Sequence, residues 1–133
     1  MLAFRPTVSD ENWLLDFDYF PIAYDYCMGC KIHRGFMDAW GDLKGVLLNS
    51  IRNLIQQHPT SKIAVIGHSL GGALAVVASA EISYTIKRVS FVYTFGQPRV
   101  GNPQFANFYD VTVDNIYRLI HYNDIIPHLP LIE

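Results

Sequence analysis

Apolar residues along this 133-residue chain recur with two spacings, one typical of helices and the other of buried strands. Positions 35–57 repeat apolar side chains every three or four residues, which predicts a helix with one buried face that ends at His58-Pro59. Four short runs of apolar and β-branched residues predict strands at 2–5, 62–66, 88–95 and 116–120.

The segments between these strands predict further helices and turns. A tight turn at 67–72 leads into a small-residue helix at 73–82, and shorter helices are expected at 9–18 and 104–109. We interpret 20–29 as an irregular aromatic stretch and 122–131 as a proline-rich loop. Strands that alternate with helices indicate an α/β protein with a mostly parallel sheet. The length fits one domain over 1–133.

Composition excludes several classes of protein. Half of the residues are hydrophobic and 17% are charged, so the chain is not a disordered tail. The net charge of −2 and the absence of a basic patch argue against nucleic-acid binding. The longest uncharged apolar stretch in the middle, 69–80, is too short to span a membrane, which takes about 18 residues or more. The first residues do not form a signal peptide.

One segment carries a chemical signature. Gly67-His68-Ser69-Leu70-Gly71 matches the G-x-S-x-G pattern of a nucleophile elbow, between a predicted strand and a predicted helix. A serine on such a turn projects its hydroxyl from the sheet, and the helix N-terminus directs free N–H groups at a developing oxyanion. The Leu70 N–H is the expected first oxyanion donor. A phosphate loop is the rival interpretation, but no lysine follows the glycines.

The expected partner acid is Asp124. In this type of site the triad runs serine, acid, histidine, and the acid lies in a loop after a later strand. Asp124 follows the strand at 116–120, whereas the alternatives Asp110 and Asp114 precede it. The competing interpretation is that Asn123-Asp124 merely forms a turn.

The histidine of the triad is harder to place. Nine residues follow Asp124, too few for another parallel strand with its crossover. His128 is the one histidine among them, and we expect it to pack locally rather than act as the general base. We expect His68 to point into the protein. The remaining histidines are interpreted as structural or surface groups: His33, His58 and His121.

Three motifs together resemble the fungal-type, class 3 lipase family. They are GHSLGG at 67–72, FGQPRVGN at 95–102 and NDIIPHLP at 123–130. The resemblance runs over about 2–131. It implies a partial α/β-hydrolase fold with a mostly parallel sheet and flanking helices. It also implies a serine ester hydrolase that cleaves acylglycerol esters through an acyl-enzyme.

The resemblance also assigns roles to residues. It implies that Ser69 is the nucleophile and Asp124 the triad acid, with Leu70 and Thr7 as the oxyanion residues. Phe4-Arg5-Pro6-Thr7 is similar to the family's oxyanion-loop motif, although the family usually has glycine where Pro6 stands. Proline fixes φ and lacks an N–H, so this loop is expected to differ from the family's.

The same resemblance places a lid and leaves some parts unmatched. Asn12-Trp13 falls where the family has its amphipathic lid, while core packing is the alternative role for Trp13 and Phe17. The family's catalytic histidine lies in a C-terminal segment with no counterpart here. We therefore expect this chain to be an incomplete class 3 lipase-like domain.

A C-x-x-C pair is formed by Cys27 and Cys30. Zinc binding with His33 is conceivable, but a fourth ligand is not evident. Some secreted members of the resembled family have a short-range cysteine pair at this place, which implies a disulfide and favours the secretory pathway. We expect no metal and no cofactor.

Two functions are consistent with these motifs. The first is a lipase that acts on a lipid ester at an interface, with no nucleic-acid partner and no transmembrane segment. The second is a catalytically inactive lipid-binding or interaction protein that keeps the elbow but not the triad.

Overall fold

The computed structural model describes residues 1–5 and 16–131 of the chain, with a four-stranded parallel sheet at the centre. In chain order the elements are β1 (Leu2–Phe4), β2 (Pro21–Ala23), β3 (Lys31–His33), α1 (Arg34–Gln57), β4 (Ala64–His68), α2 (Leu70–Thr85), β5 (Phe91–Phe95), α3 (Pro103–Thr112), β6 (Asn115–Leu119) and a 3-10 turn (Ile126–His128). The sheet order is β1-β4-β5-β6, and every neighbouring pair in it is parallel. The predicted α/β class with a mostly parallel sheet and flanking helices is confirmed.

The long helix and the core strands lie close to their predicted positions. The main difference is α2, which begins at Leu70, directly after the elbow serine, and so takes in part of the predicted turn. The first glycine of the motif, Gly67, belongs to β4 rather than to the turn. Helix α3 begins one residue earlier than predicted because Asn102 caps it, accepting a hydrogen bond from Phe105 N at 3.0 Å.

The sequence prediction missed the antiparallel hairpin of β2 and β3 in the aromatic region. Its strands have three residues each, too few for a two-residue period to stand out. Most of the predicted helix at 9–18 lies outside the described residues, and 16–18 are not helical. Phe17 lies against Phe36 with ring centroids 4.5 Å apart, so core packing is its role.

All three helices lie on one face of the sheet. That face carries Val65, Val92 and Thr94, which are fully buried against α2. Helix α1 reaches the same face through an edge-on contact between Trp40 and Phe4, with ring centroids 6.4 Å apart. A continuous core therefore holds α2, and with it the elbow, against the sheet.

A buried carboxylate lies in the contact between α1 and α2. Glu81 of α2 is 3% exposed, and it accepts hydrogen bonds from Trp40 Nε1 at 2.6 Å and Tyr26 Oη at 3.1 Å. Lys44 Nζ lies 3.6 Å from the same carboxylate. These partners offset the cost of burying the charge and tie α2 to α1 and to the hairpin region.

The opposite face of the sheet is partly exposed. Tyr93 of β5 and Tyr117 of β6 stack there with ring centroids 4.8 Å apart. Phe95 and Leu119 lie at the carboxyl ends of the same two strands, and each is at least 40% exposed. Among the described residues, no helix has the length and apolar character needed to cross a membrane.

Candidate active site

Ser69 occupies a strained turn between β4 and α2. Its φ of 54° and ψ of −125° make it the one positive-φ residue other than glycine in the described chain. The Ser69 N–H donates to the Phe95 carbonyl at 2.9 Å, and the Ser69 carbonyl accepts from Gly72 N at 2.9 Å. The turn is therefore held by the end of β5 on one side and the first turn of α2 on the other.

Glycines make this turn possible because the backbones of β4, α2 and β1 approach one another closely there. A Cβ atom at Gly67 would overlap the carbonyl group of Gly71. A Cβ atom at Gly71 would lie 2.6 Å from the Phe4 carbonyl oxygen at the end of β1. The spacing of the motif thus reflects contacts between backbone groups in which a side chain has no room.

The start of α2 supplies an unused donor beside the serine. Leu70 is the first residue of a 16-residue helix, and no group in the described chain accepts a hydrogen bond from its N–H. A free N–H at a helix N-terminus suits a developing negative charge. The described part of the oxyanion-loop motif ends at Arg5, whose carbonyl oxygen would lie 3.0 Å from a Cβ at Gly71. Thr7 and Pro6 lie outside the described residues.

Asp124 follows β6 and reaches the same end of the sheet. Its Oδ1 accepts from Ile126 N at 3.0 Å, and its own N–H donates to the His121 carbonyl at 2.9 Å. Its Oδ2 occupies the space beside Gly96, where it lies 2.7 Å from the position of a Cβ. In the described chain, nothing donates a hydrogen bond to Oδ2, so this oxygen can accept one from a further group.

The end of β5 brings Ser69 and Asp124 together. The serine bonds to the Phe95 carbonyl, and the carboxylate lies against the next residue, Gly96. Gly96 has a φ of +57° and donates its N–H to the Leu119 carbonyl of β6 at 3.0 Å. Carboxyl ends of neighbouring parallel strands are where α/β proteins assemble their sites.

The alternative acids lie elsewhere. Asp114 immediately precedes β6 and pairs with Arg88, which precedes β5, at the opposite end of the sheet from Ser69. Asp110 is exposed on α3. The structure therefore brings Asp124 to the elbow and keeps the other two candidates away from it.

The described histidines do not complete the arrangement. All five lie within the described residues, and none of their imidazole rings hydrogen-bonds to Ser69 or Asp124 there. The expectation that His68 points inward is wrong, because alternation along β4 places it on the exposed side of the sheet. Its Nε2 lies 3.7 Å from the position of a Cβ on Gly96. His128 is exposed on the 3-10 turn.

The predicted disulfide is confirmed. Cys27 and Cys30 are bonded to each other, so their sulfurs are not available as the thiolate ligands that the zinc alternative required. His33, the third residue of that alternative, is half-buried and hydrogen-bonds through Nδ1 to the Tyr19 carbonyl at 2.7 Å. Burial lowers the pKa of His33, which favours its neutral form.

Comparison with known proteins places this chain in a family. The family model for class 3 lipases matches residues 1–133. A lipase from Rhizomucor miehei is 38% identical over 97% of the chain, which corresponds to 37% of the relative's length. A secreted mono- and diacylglycerol lipase from Fusarium solani is 36% identical, over 98% of the chain and 39% of the relative.

Solved structures agree with these relatives. A native complex of Rhizomucor miehei lipase with its propeptide superimposes with a TM-score of 0.90 at 39% identity, covering 96% of this chain and 42% of that one. A triacylglycerol lipase described as having a serine protease triad at its catalytic centre also gives a TM-score of 0.90 at 39% identity, over 96% of this chain and 50% of that one.

The fold is thus that of the α/β-hydrolases, as in the fungal lipase structures. The chain belongs to the class 3 lipase family. It spans less than two-fifths of the length of the curated relatives described above.

Sequence reasoning did not single out three residues near Asp124. Gly96 leaves the space that the carboxylate occupies, and Arg99 and Arg118 contact the loop that follows Asp124. The left-handed φ of Gly96 and the long-range contacts of the arginines come from tertiary structure. A glycine directly after a buried strand was the available signal.

Proposed function

We propose that this protein is a serine ester hydrolase of lipase type that cleaves acylglycerol esters through an acyl-enzyme. The observation that carries the proposal is that Ser69 and Asp124 both lie at the carboxyl end of β5, beside a Leu70 N–H that no group in the described chain accepts. A strained serine, a carboxylate with one free oxygen and a helix N-terminus are the parts that acyl transfer requires.

In the proposed mechanism, Ser69 Oγ attacks the ester carbonyl while a histidine removes the hydroxyl proton. The Leu70 N–H donates to the oxyanion of the tetrahedral intermediate. The histidine then protonates the leaving alkoxide, which departs as the alcohol and leaves an acyl-serine. Water attacks the acyl-serine with the same histidine as base, releasing the fatty acid and restoring Ser69.

Asp124 is proposed to orient that histidine through Oδ2. Since no described imidazole reaches Asp124, we propose that the histidine comes from a part of the complete protein outside residues 1–133. The 133 residues then form one incomplete α/β-hydrolase domain. Thr7, beyond the end of β1, is proposed as the second oxyanion residue because Arg5 lies beside Gly71 of the elbow.

The substrate class follows from the relatives and from the surface next to the site. Relatives of this chain are named as a lipase and as a secreted mono- and diacylglycerol lipase. Phe95, Leu119 and Ile120 lie exposed near the carboxyl ends of β5 and β6. We propose that the protein acts on acylglycerols at a lipid–water interface and that it is secreted, in keeping with its disulfide.

The direct test is release of fatty acid from an acylglycerol emulsion by the protein in the form its source cell makes. We expect Ser69→Ala to lower kcat by about a million-fold, because the nucleophile is lost. Ser50→Ala is the matched control, since Ser50 is exposed on α1 and bonds to the Val46 carbonyl. Unchanged turnover in Ser69→Ala would overturn the assignment. Absence of turnover in the wild-type protein would favour a binding role instead.

A further inference from the structure

Arg99 hydrogen-bonds to three successive carbonyl groups of the loop after Asp124. Its guanidinium donates from Nη1 to the carbonyls of His128 and Pro130, each at 2.7 Å. Its backbone N–H donates to the Leu129 carbonyl, also at 2.7 Å. One residue of the β5–α3 loop therefore fixes both the position and the orientation of 128–130.

Arg118 makes a second bridge to the same loop. It lies on β6, and its Nη2 donates to the Pro127 carbonyl at 2.8 Å and to the Gln97 carbonyl at 2.9 Å. Pro127 is buried at this junction. Arg118 therefore ties the loop after Asp124 to the segment that follows Gly96.

The partners of both arginines in these contacts are neutral carbonyls. Neither arginine forms a salt bridge with a carboxylate among the described residues. Burial, together with the nearby charge of Arg99, lowers the pKa of Arg118. Bringing two like charges together is unfavourable, so the value of the arrangement lies in the N–H groups of one terminal nitrogen of each guanidinium, which bond to two carbonyls at once.

Hydrogen bonds connect the segment 127–130, which the arginines bind, to the Asp124 carboxylate. Asp124 Oδ1 accepts from Ile126 N at 3.0 Å, and the Ile126 carbonyl accepts from Leu129 N at 3.0 Å. His128 N donates to the Ile125 carbonyl at 3.0 Å. The turn from 124 to 129 is thus one bonded unit, and a shift of 127–130 would move the Asp124 carboxylate.

We propose that Arg99 and Arg118 are positioning residues that hold the Asp124 carboxylate beside Gly96, in reach of the catalytic histidine. This inference rests on the proposed function, in which Asp124 orients that histidine. Among the described residues, neither arginine hydrogen-bonds to Ser69 or to Asp124 itself. They act through the loop, so removing them changes how well Asp124 orients its partner.

A double-mutant cycle between Arg118 and Asp124 tests this inference. The acylation rate of the complete protein is measured from the burst phase with a p-nitrophenyl ester. Steady-state kcat and KM are measured with the same ester. We expect Arg118→Met to lower kcat by about 10- to 100-fold, with KM changed less than about threefold, as for a lost supporting contact. Arg99→Met should behave in the same way.

The decisive result is the same substitution in an Asp124→Asn background. If Arg118 acts through Asp124, adding Arg118→Met to that background lowers the rate by less than about twofold. An equal loss in both backgrounds, or no loss in either, would overturn the positioning role. A wild-type rate that Asp124→Asn leaves unchanged would overturn the proposed triad itself, so the two failures are distinguishable.

Arg88→Met is the matched control. Arg88 also bridges two elements, through Asp114 and the Val111 carbonyl, but at the end of the sheet away from Ser69. We expect it to change kcat less than about twofold whatever its effect on Tm. If the methionine variants do not fold, Arg118→Lys replaces Arg118→Met in the cycle, since it keeps the charge but not the planar N–H geometry of the guanidinium. A loss that vanishes with Asp124→Asn supports the inference, and a persistent loss or none contradicts it.

Discussion

The elbow and the Asp124 loop reach the same end of β5 by different means. The elbow is built from adjacent residues, with glycine spacing that lets the backbone of β4 and α2 pass closely, and most of α2 is buried. The Asp124 loop is more exposed and is held by arginines from β6 and from the β5–α3 loop. The conformation of the elbow therefore depends on local backbone packing, whereas the position of Asp124 depends on contacts with residues distant in sequence.

This difference predicts two kinds of failure. A change in the elbow removes backbone packing that the fold needs, so it costs stability first. A change around the Asp124 loop leaves the core intact and should cost activity first. Substitutions at two glycines separate these outcomes, since each would place one added Cβ in a defined contact.

The largest effect is expected for Gly67→Ala. The new Cβ would overlap the Gly71 carbonyl group, and all the nearest atoms are backbone atoms of Gly71 and Gly72, which cannot rotate away as a side chain could. We expect a loss of more than about 4 kcal/mol in the free energy of unfolding, measured by chemical denaturation, or failure to fold. Gly45→Ala is the control, because nothing lies within 4 Å of its Cβ position on α1. A Gly67→Ala protein of wild-type stability would contradict the local account of the elbow.

A smaller loss of stability but a clear loss of activity is expected for Gly96→Ala. The Cβ would lie 2.7 Å from Asp124 Oδ2 and would push the carboxylate away, while the φ of +57° adds about 1–3 kcal/mol of strain. We expect kcat on a soluble ester to fall by about 100-fold in folded protein.

Gly29→Ala separates strain from displacement of the carboxylate. Gly29 has a φ of +79°, but the nearest atom to its Cβ position is Gln104 Cγ at 3.9 Å. We expect backbone strain to destabilise this variant about as much as Gly96→Ala, while its kcat stays within about twofold of the wild-type value. If both variants lose activity equally, backbone strain explains the effect, and displacement of the Asp124 carboxylate does not.

The same contrast explains what could be read from the sequence. The elbow was predictable because its residues are contiguous and their pattern follows from backbone crowding. Asp124 was found from its position after a strand, in a motif of the resembled family. Gly96, Arg99 and Arg118 were not assigned roles, because their partners are distant in sequence and known only after folding.

Prediction of the fold succeeded where the pattern was long and failed where it was short. The apolar periodicity of α1 and the β-branched run of β4 identified both elements. The three-residue strands of the hairpin gave no period to detect. His68 was misplaced because the motif was treated as a turn, whereas alternation continues along β4 to its last residue.

Above all, we propose that Ser69 is a nucleophile activated by a triad that includes Asp124. The most direct measurement is covalent capture by a fluorophosphonate, with the modified residue located by mass spectrometry of peptides. We predict rapid labelling at Ser69 in the wild-type protein, with labelling at least about 100-fold slower in Asp124→Asn. Labelling at another residue, or equal rates in both proteins, would contradict the claim.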